Sequence, residues 1–204
     1  MPMRRVRAYV GLGANLGDAR ATLTSAVHAL GALPTVRVRG VSRLYGTRPV
    51  GVVDQPDFMN AVVALDVPAG PDPATGAIAL LIALKGIERG FGRRDRERWG
   101  PRELDLDLLI FGRSSLAIDR PPDGGSLDPG NAGRLLVVPH RDAAERLFVL
   151  APLSDLASRL VPPGWHRTVE TVCRARALDE GPAAVRALAH WDGGTWVAAS
   201  QPGS

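Results

Sequence analysis

The chain has 204 residues, enough for one domain with a full core or for one domain plus a small appendage. Hydrophobic residues make up 45% and charged residues 23%, which excludes disorder as the default, and no run reaches the roughly 20 apolar residues of a membrane span. The formal charge of +4 is carried almost wholly by arginine, with Lys85 the sole lysine, so a cleft for a polyphosphate explains the basic balance as well as nucleic acid does.

Met1–Tyr9 lacks the apolar core of a signal peptide, and a cytoplasmic protein is expected. The single Cys173 allows no intrachain disulfide and no thiolate zinc site, and it reads as a small buried hydrophobe.

Arg7–Gly13 (RAYVGLG) reads as a first strand, followed by a turn over 14–17. Asp18 is placed to cap a helix whose Leu23, Ala26, Val27 and Leu30 recur at helical spacing, with Gly31 as its stop. A glycine-rich turn between strand and helix can cradle phosphate, but G-x-G alone is weak evidence, and a tight turn is the plainer reading. Val36–Tyr45 mostly alternates and reads as a second strand. Gly46–Asp57 is a loop rich in Pro and Gly, long enough to serve as a lid. Phe58–Val67 reads as a third strand with Phe58 and Asn60 on one face. An Asn beside an aromatic can read the donor and acceptor edge of a flat heterocycle, and a capped strand end is the alternative.

Asp72 and Pro73 supply a cap and a first-turn proline for a long apolar helix running to about Glu88. An Arg-dense loop, Gly90–Glu97, then leads to Leu104-Asp105-Leu106-Asp107-Leu108, read as the central strand. Strand alternation sends both carboxylates to one face, about 7 Å apart, where they repel unless a cation sits between them. Asp is also depleted in strands, so the pattern points to a hard divalent ion shared with substrate phosphates, against the plainer reading of an edge strand with a solvated acidic face. Arg98 and Arg102 just upstream suit phosphate, and the Trp99 ring suits a planar ligand.

Arg113–Arg134 reads as a loop insertion, and Leu135–Val138 as a short strand ended by Pro139 and His140. A helical turn through Arg146, an apolar segment Phe148–Leu156 and a helix Thr168–Ala177 follow. A hairpin is expected around Asp192-Gly193-Gly194, flanked by Trp191 and Trp196. Residues 1–177 thus read as one domain with 113–134 inserted, and residues 178–204 as a C-terminal extension.

Four blocks in order, Gly11–Gly17 (GLGANLG), Thr47–Asn60 (TRPVGVVDQPDFMN), Arg98–Asp107 (RWGPRELDLD) and Pro139-His140 with Arg146–Leu153 (RLFVLAPL), make the stretch Ala8–Leu156 resemble the hydroxymethyl-dihydropterin pyrophosphokinases of folate biosynthesis. The resemblance implies transfer of pyrophosphate from ATP to the hydroxymethyl group of a dihydropterin, with release of AMP. It implies two Mg²⁺ held by Asp105 and Asp107, with Arg93 and Arg102 stabilising charge during transfer. Phe58 and Phe148 would sandwich the pterin while Thr47, Val50 and Asn60 read its edge and Trp99 completes the site. Glu88, Arg94, Arg98, Trp99, Arg102, Leu108, His140 and Arg146 would serve ATP. Partners would be these small molecules alone, with no nucleic acid and no membrane, and the protein would be a monomer.

This chain departs from the family's usual G-R-x-R loop, since Gly92-Arg93-Arg94-Asp95-Arg96 leaves the second arginine role open between Arg94 and Arg96. Arg48 and Arg141 also stand where the family has other residues. The element order is that of an α+β ferredoxin-like βαββαβ sandwich with a largely antiparallel sheet, extra helices and a loop insertion, which is also the family's fold. Two rival readings remain: another Mg-dependent nucleotidyltransferase-like enzyme, and a basic RNA-binding module, which the 5% aromatic content disfavours.

Overall fold

The computed structural model describes residues 4–48, 56–92, 103–121, 133–181 and 183–198. The first strand, β1 (Arg5–Ala14), alternates as its sequence does: Ala8, Val10, Leu12 and Ala14 are buried in one core, and Tyr9 faces the other. Helix α1 (Ala19–Ala32) starts at Asp18, whose carboxylate accepts from Ala21 N–H at 3.0 Å. It runs through Gly31, where the sequence suggested a stop, and ends at Leu33, which is extended at ψ 132°. Pro34 is the cause, since a residue before proline is driven out of the helical region.

The expected second strand is two, β2 (Arg37–Val41) and β3 (Leu44–Thr47). They are divided at Ser42, whose N–H donates to Val62 O and whose Oγ accepts from Val62 N–H, both at 2.9 Å. Both pair antiparallel with β4 (Phe58–Pro68), which pairs antiparallel with β1. Helix α2 (Pro73–Gly90) is capped by Asp72, and β5 (Asp105–Phe111) returns antiparallel to β1.

Two interleaved crossovers result. The chain passes from β1 through α1 to β2 and β3, leaving a slot that β4 fills, then from β4 through α2 to β5, leaving a slot that β1 fills. This is the antiparallel ferredoxin-like α+β arrangement. Its strand order, β5-β1-β4-β3, puts β5 at the edge of the sheet, so the acidic strand is not central as its sequence suggested.

Leu23, Ala26, Val27 and Leu30 of α1 and Ala77, Leu80 and Leu84 of α2 cover one face of the sheet. On the other face, Tyr9, Val62, Ala64, Leu109 and Ile110 pack against Leu153 and Ala157 of α3 (Leu147–Ala157) and Val169 of α4 (Val169–Glu180). Each fully buried leucine contributes about 2 kcal/mol, several times a surface ion pair, so these two apolar layers hold the sandwich. One polar cluster adds to them: Asp155 of α3 accepts from Arg43 Nη2 at 2.6 Å and from Tyr45 Oη at 3.0 Å. Burial and that carboxylate together hold the Tyr45 phenol protonated well above its ordinary range. Cys173 is half-buried, and burial raises its thiol pKa, which suits an unreactive side chain.

The insertion is not wholly loop. Its start forms β6 (Leu116–Asp119), paired antiparallel with β7 (Arg134–Val138) in a separate two-stranded sheet. The hairpin β8 (Val185–Trp191) and β9 (Trp196–Ala198) forms where Asp192-Gly193-Gly194 placed it, and β8 joins the main sheet beside β3.

Gly76, in the first turn of α2, sits against the end of β4. A β-carbon there would stand 2.2 Å from Ala69 O and 2.9 Å from Phe111 Cζ. Overpacking of up to about 3 kcal/mol, less about 1 kcal/mol of helix propensity gained, leaves Gly76→Ala destabilised by about 2 kcal/mol in denaturant unfolding. A variant as stable as wild type would show that the helix start shifts freely.

Candidate active site

The register between β1 and β5 sets Asp105 opposite Gly13 and Asp107 opposite Gly11. Leu106 and Leu108 are buried on the α1/α2 side, so both half-exposed carboxylates project toward the α3 side. On β4, Asn60 lies opposite Gly13, and on β3 Tyr45 lies opposite Asn60. One row across the sheet therefore reads Asp105, Gly13, Asn60, Tyr45.

The glycines matter because they are bare. Gly11 and Gly13 lie within β1, not in the turn that follows, and a β-carbon at Gly13 would come within 3.4 Å of Asn60 Oδ1. The missing side chain at Gly13 leaves an open floor between Asp105 and the amide, whereas at Gly11 it makes room for Leu109, whose Cδ1 would stand 3.4 Å from a β-carbon there. The turn function belongs to Gly17, whose φ of +58° is the left-handed conformation that glycine adopts without cost. Asn15, 3% exposed, donates from Nδ2 to Pro56 O at 3.2 Å and so ties the end of β1 to the approach to β4.

Thr47 and Asn60 are both buried, and Asn60 Nδ2 donates to Thr47 Oγ1 at 2.9 Å. With its oxygen occupied as acceptor, the Thr47 hydroxyl has its proton to offer, and Asn60 has its carbonyl oxygen. Phe58 lies opposite Thr47 at the start of β4, half-buried.

The remaining described candidates enter on the segment after β7. His140 N–H donates to Leu109 O at 2.8 Å, fastening that segment to β5. Its ring nitrogen Nδ1 accepts from Asp142 N–H at 3.3 Å, which leaves the proton of the neutral ring on Nε2 as an outward donor. Arg146 is paired with Asp142 at 2.6 Å, and its guanidinium carbon lies 5.9 Å from the centre of the Phe148 ring, within cation–π range. Phe148 is the second residue of α3, on the layer that covers the carboxylate face.

Glu88 is 2% exposed and stands at the outer edge of β5. Its Oε1 accepts from Leu106 N–H at 2.7 Å and from Lys85 Nζ at 2.8 Å, while Lys85 Nζ also donates to Leu106 O at 3.2 Å. The residue between the two aspartates thus has both outward backbone groups satisfied by α2. Leu108 is 2% exposed with its side chain in the α1/α2 core, so only its backbone is available to a ligand. Val50, Arg93, Arg94, Arg98, Trp99 and Arg102 lie outside the described residues, as does much of the two glycine-bearing loops.

Among the described residues no three His, Cys, Asp or Glu side chains gather to hold a metal ion. Two carboxylates on an open floor suit Mg²⁺ nonetheless, which takes one or two protein carboxylates and completes its shell with phosphate oxygens and water. A groove of about 590 Å³ at the opposite end of β1, lined by Arg4, Tyr9, Asp72 and Arg113 among others, contains none of the candidates. Its one acid, Asp72, is committed to capping α2.

Sequence reasoning passed over Gly11, Gly13, Asn15 and Lys85. The glycines had a signal: they alternate with Val10, Leu12 and Ala14 at the same period that singled out the aspartates.

Residues 9–158 match the family model described as 7,8-dihydro-6-hydroxymethylpterin-pyrophosphokinase. A Pseudomonas aeruginosa protein named 2-amino-4-hydroxy-6-hydroxymethyldihydropteridine pyrophosphokinase is 42% identical over 161 residues, 78% of this chain and 86% of its own. A Methylorubrum extorquens protein of the same name is 40% identical over 171 residues, 84% of this chain and 92% of its own. Among solved structures, the wild-type HPPK-DHPS of Plasmodium falciparum superposes with a TM-score of 0.67 at 14% identity, over 94% of this chain and 48% of that one. At that identity the likeness speaks for the fold alone, and this chain spans about half of that longer one.

Proposed function

The chain belongs to the 7,8-dihydro-6-hydroxymethylpterin-pyrophosphokinase family, and from that premise we propose how its residues divide the work. The reaction moves pyrophosphate from ATP to the hydroxymethyl group of 6-hydroxymethyl-7,8-dihydropterin, a step of folate biosynthesis that releases AMP. The observation that carries the assignment of roles is the row from Asp105 across bare Gly13 to Asn60: an acidic end for a metal-bound polyphosphate, an amide end for a heterocycle, and an unobstructed floor between them.

The hydroxymethyl oxygen attacks the β-phosphorus as the bond to the AMP oxygen breaks, and no side chain need act as nucleophile. What the protein supplies is alignment and charge. Asp105 and Asp107 would hold Mg²⁺, two ions in the full site, whose charge would neutralise phosphate oxygens. Arg93 and Arg102 stabilise the transferring group, and Arg94, Arg98, His140 and Arg146 engage the ATP phosphates, His140 as donor from Nε2. Thr47 and Asn60 present a hydroxyl proton and a carbonyl oxygen to the pterin edge, Val50 and Trp99 also serve the pterin, and Phe58 and Phe148 take its two faces. Glu88 and the Leu108 backbone serve the nucleotide from the edge of β5, Glu88 by holding that edge in place.

The test is incubation with ATP, Mg²⁺ and the dihydropterin: AMP and the pterin pyrophosphate should form together, and ADP in place of AMP would refute the reading. A nucleotidyltransferase would release pyrophosphate, and an RNA-binding sheet would show stacking aromatics where β5 shows carboxylates. Phe58→Ala and Phe148→Ala should each weaken pterin binding by about 1–3 kcal/mol, the worth of one stacked base, and change ATP affinity much less. Equal losses for both ligands in calorimetric titration would indicate a structural role.

No helix among the described residues is long and apolar enough to cross a membrane. The single cysteine suits a reducing compartment, and we place the protein in the cytoplasm. A monomer is supported by the sheet's edges: β9 has three residues, and the outer edge of β5 is satisfied at Leu106 by Glu88 and Lys85. Light scattering should give a mass of 21.6 kDa, and twice that value would overturn the monomer.

A further inference from the structure

The family match ends at residue 158, yet residues 185–198 are built into the same sheet as the candidate site. β8 lies along the whole of β3, with Val185 opposite Thr47, Arg186 opposite Gly46, Ala187 opposite Tyr45 and Ala189 opposite Leu44. All four residues of β3 are buried. Without β8, β3 would be a four-residue edge strand with its outward backbone groups unpaired, a poor platform for a side chain that must meet a ligand to within a few tenths of an ångström.

The hairpin is anchored rather than laid on. Trp196, 1% exposed, donates from Nε1 to Ser42 O at 2.9 Å and packs edge-on against Trp191, with ring centres 4.8 Å apart. The tip reaches α1, where His28 Nε2 lies 2.8 Å from Gly194 O. On β3 itself the fit is close: a β-carbon on Gly46 would stand 3.0 Å from Leu188 Cδ1, so Leu188 rests directly on the glycine between Tyr45 and Thr47. The hairpin is therefore clamped at Ser42, just before β3, and pressed down at Gly46, just before Thr47.

We propose that this C-terminal hairpin is a working part of the pterin subsite, with Leu188 and Trp196 as positioning residues that hold β3 so that Thr47, and Asn60 through its bond to Thr47, meet the pterin edge. The inference rests on the assignment of Thr47 and Asn60 to the pterin. It carries selectivity with it, because the carboxylates stand on β5, on the far side of β1 and β4, and do not depend on β3. Loosening the hairpin thus acts on one substrate and spares the other.

The test uses full-length protein. Leu188→Ala removes the weight on Gly46, and Trp196→Phe keeps most of the ring while losing the bond to Ser42. Trp196→Phe is the milder change and remains informative if Leu188→Ala fails to fold. The KM for the dihydropterin is expected to rise about tenfold, well within what a 1 Å misplacement can cost, with the KM for ATP held within about twofold. A hairpin that only stabilises the fold would lower the melting temperature and leave both KM values of the folded fraction unchanged, which would overturn the proposal. Equal rises in both KM values would overturn it too. Wild-type protein assayed alongside separates this outcome from failure of the functional assignment, since only the latter abolishes AMP and pterin pyrophosphate formation in the wild type.

Discussion

Asp105→Asn and Asp107→Asn each lower turnover by about 10²–10³-fold, the loss known for removing one group that stabilises transition-state charge. Each change keeps shape and volume but removes a negative charge from a site whose partner carboxylate lies two residues along the same strand face. For Asp107→Asn stability is expected to stay close to that of wild type, because an amide of the same shape replaces a half-exposed carboxylate that lies about 7 Å from a like charge on the same strand face. The kinetic signature is a raised Mg²⁺ requirement, read as activity against Mg²⁺ concentration at saturating ATP. Near wild-type turnover in either variant would remove that aspartate from the metal site.

Glu88→Ala is the largest expected loss of stability, about 3 kcal/mol. The substitution strips a buried acceptor from Leu106 N–H and from Lys85 Nζ at once. Lys85 is about one-third exposed and can turn its ammonium to water, which keeps the cost at the low end for a broken buried pair, whereas the Leu106 amide has no such escape. Because Leu106 separates Asp105 from Asp107, the loosened edge should also cost turnover, and Glu88→Gln, which can still accept from the amide, should recover most of the stability. Denaturant unfolding separates two roles: a Glu88 that served only the nucleotide would leave the unfolding midpoint unmoved.

Several parts of this protein were legible because their physics is local. The alternation of Leu104 through Leu108 fixes which side chains share a face, whatever lies beside the strand, and the structure shows both aspartates on one face. Asp18 and Asp72 cap the helices they precede because a cap is made within three residues. The Asp192-Gly193-Gly194 turn closes its hairpin for the same reason, with Asp192 accepting from the Gly194 and Thr195 amides.

Other features were settled by partners far away in the chain. β5 is an edge strand, and nothing within Asp105–Phe111 could say so, since its place depends on β1 and β4 filling the two crossover slots. The near alternation of 36–45 conceals the break at Ser42, which arises from bonds to Val62, twenty residues on. Gly13 reads as the end of a strand, and only the register against Asp105 and Asn60 reveals it as the floor of a site.

The sequence by itself thus determined the family, the order of the elements, the helix caps and the shared face of the carboxylates, all carried by short-range stereochemistry or by motifs that survive out of context. Only the tertiary structure decided that the tail completes the sheet, that Glu88 and Lys85 hold the outer edge of the acidic strand, and that the bare Gly13 opens a path from aspartate to amide. The physical reason is the same in each case: hydrogen bonds such as Trp196 to Ser42, 154 residues apart, are chosen by the packing of whole layers, and no local window of sequence contains both partners.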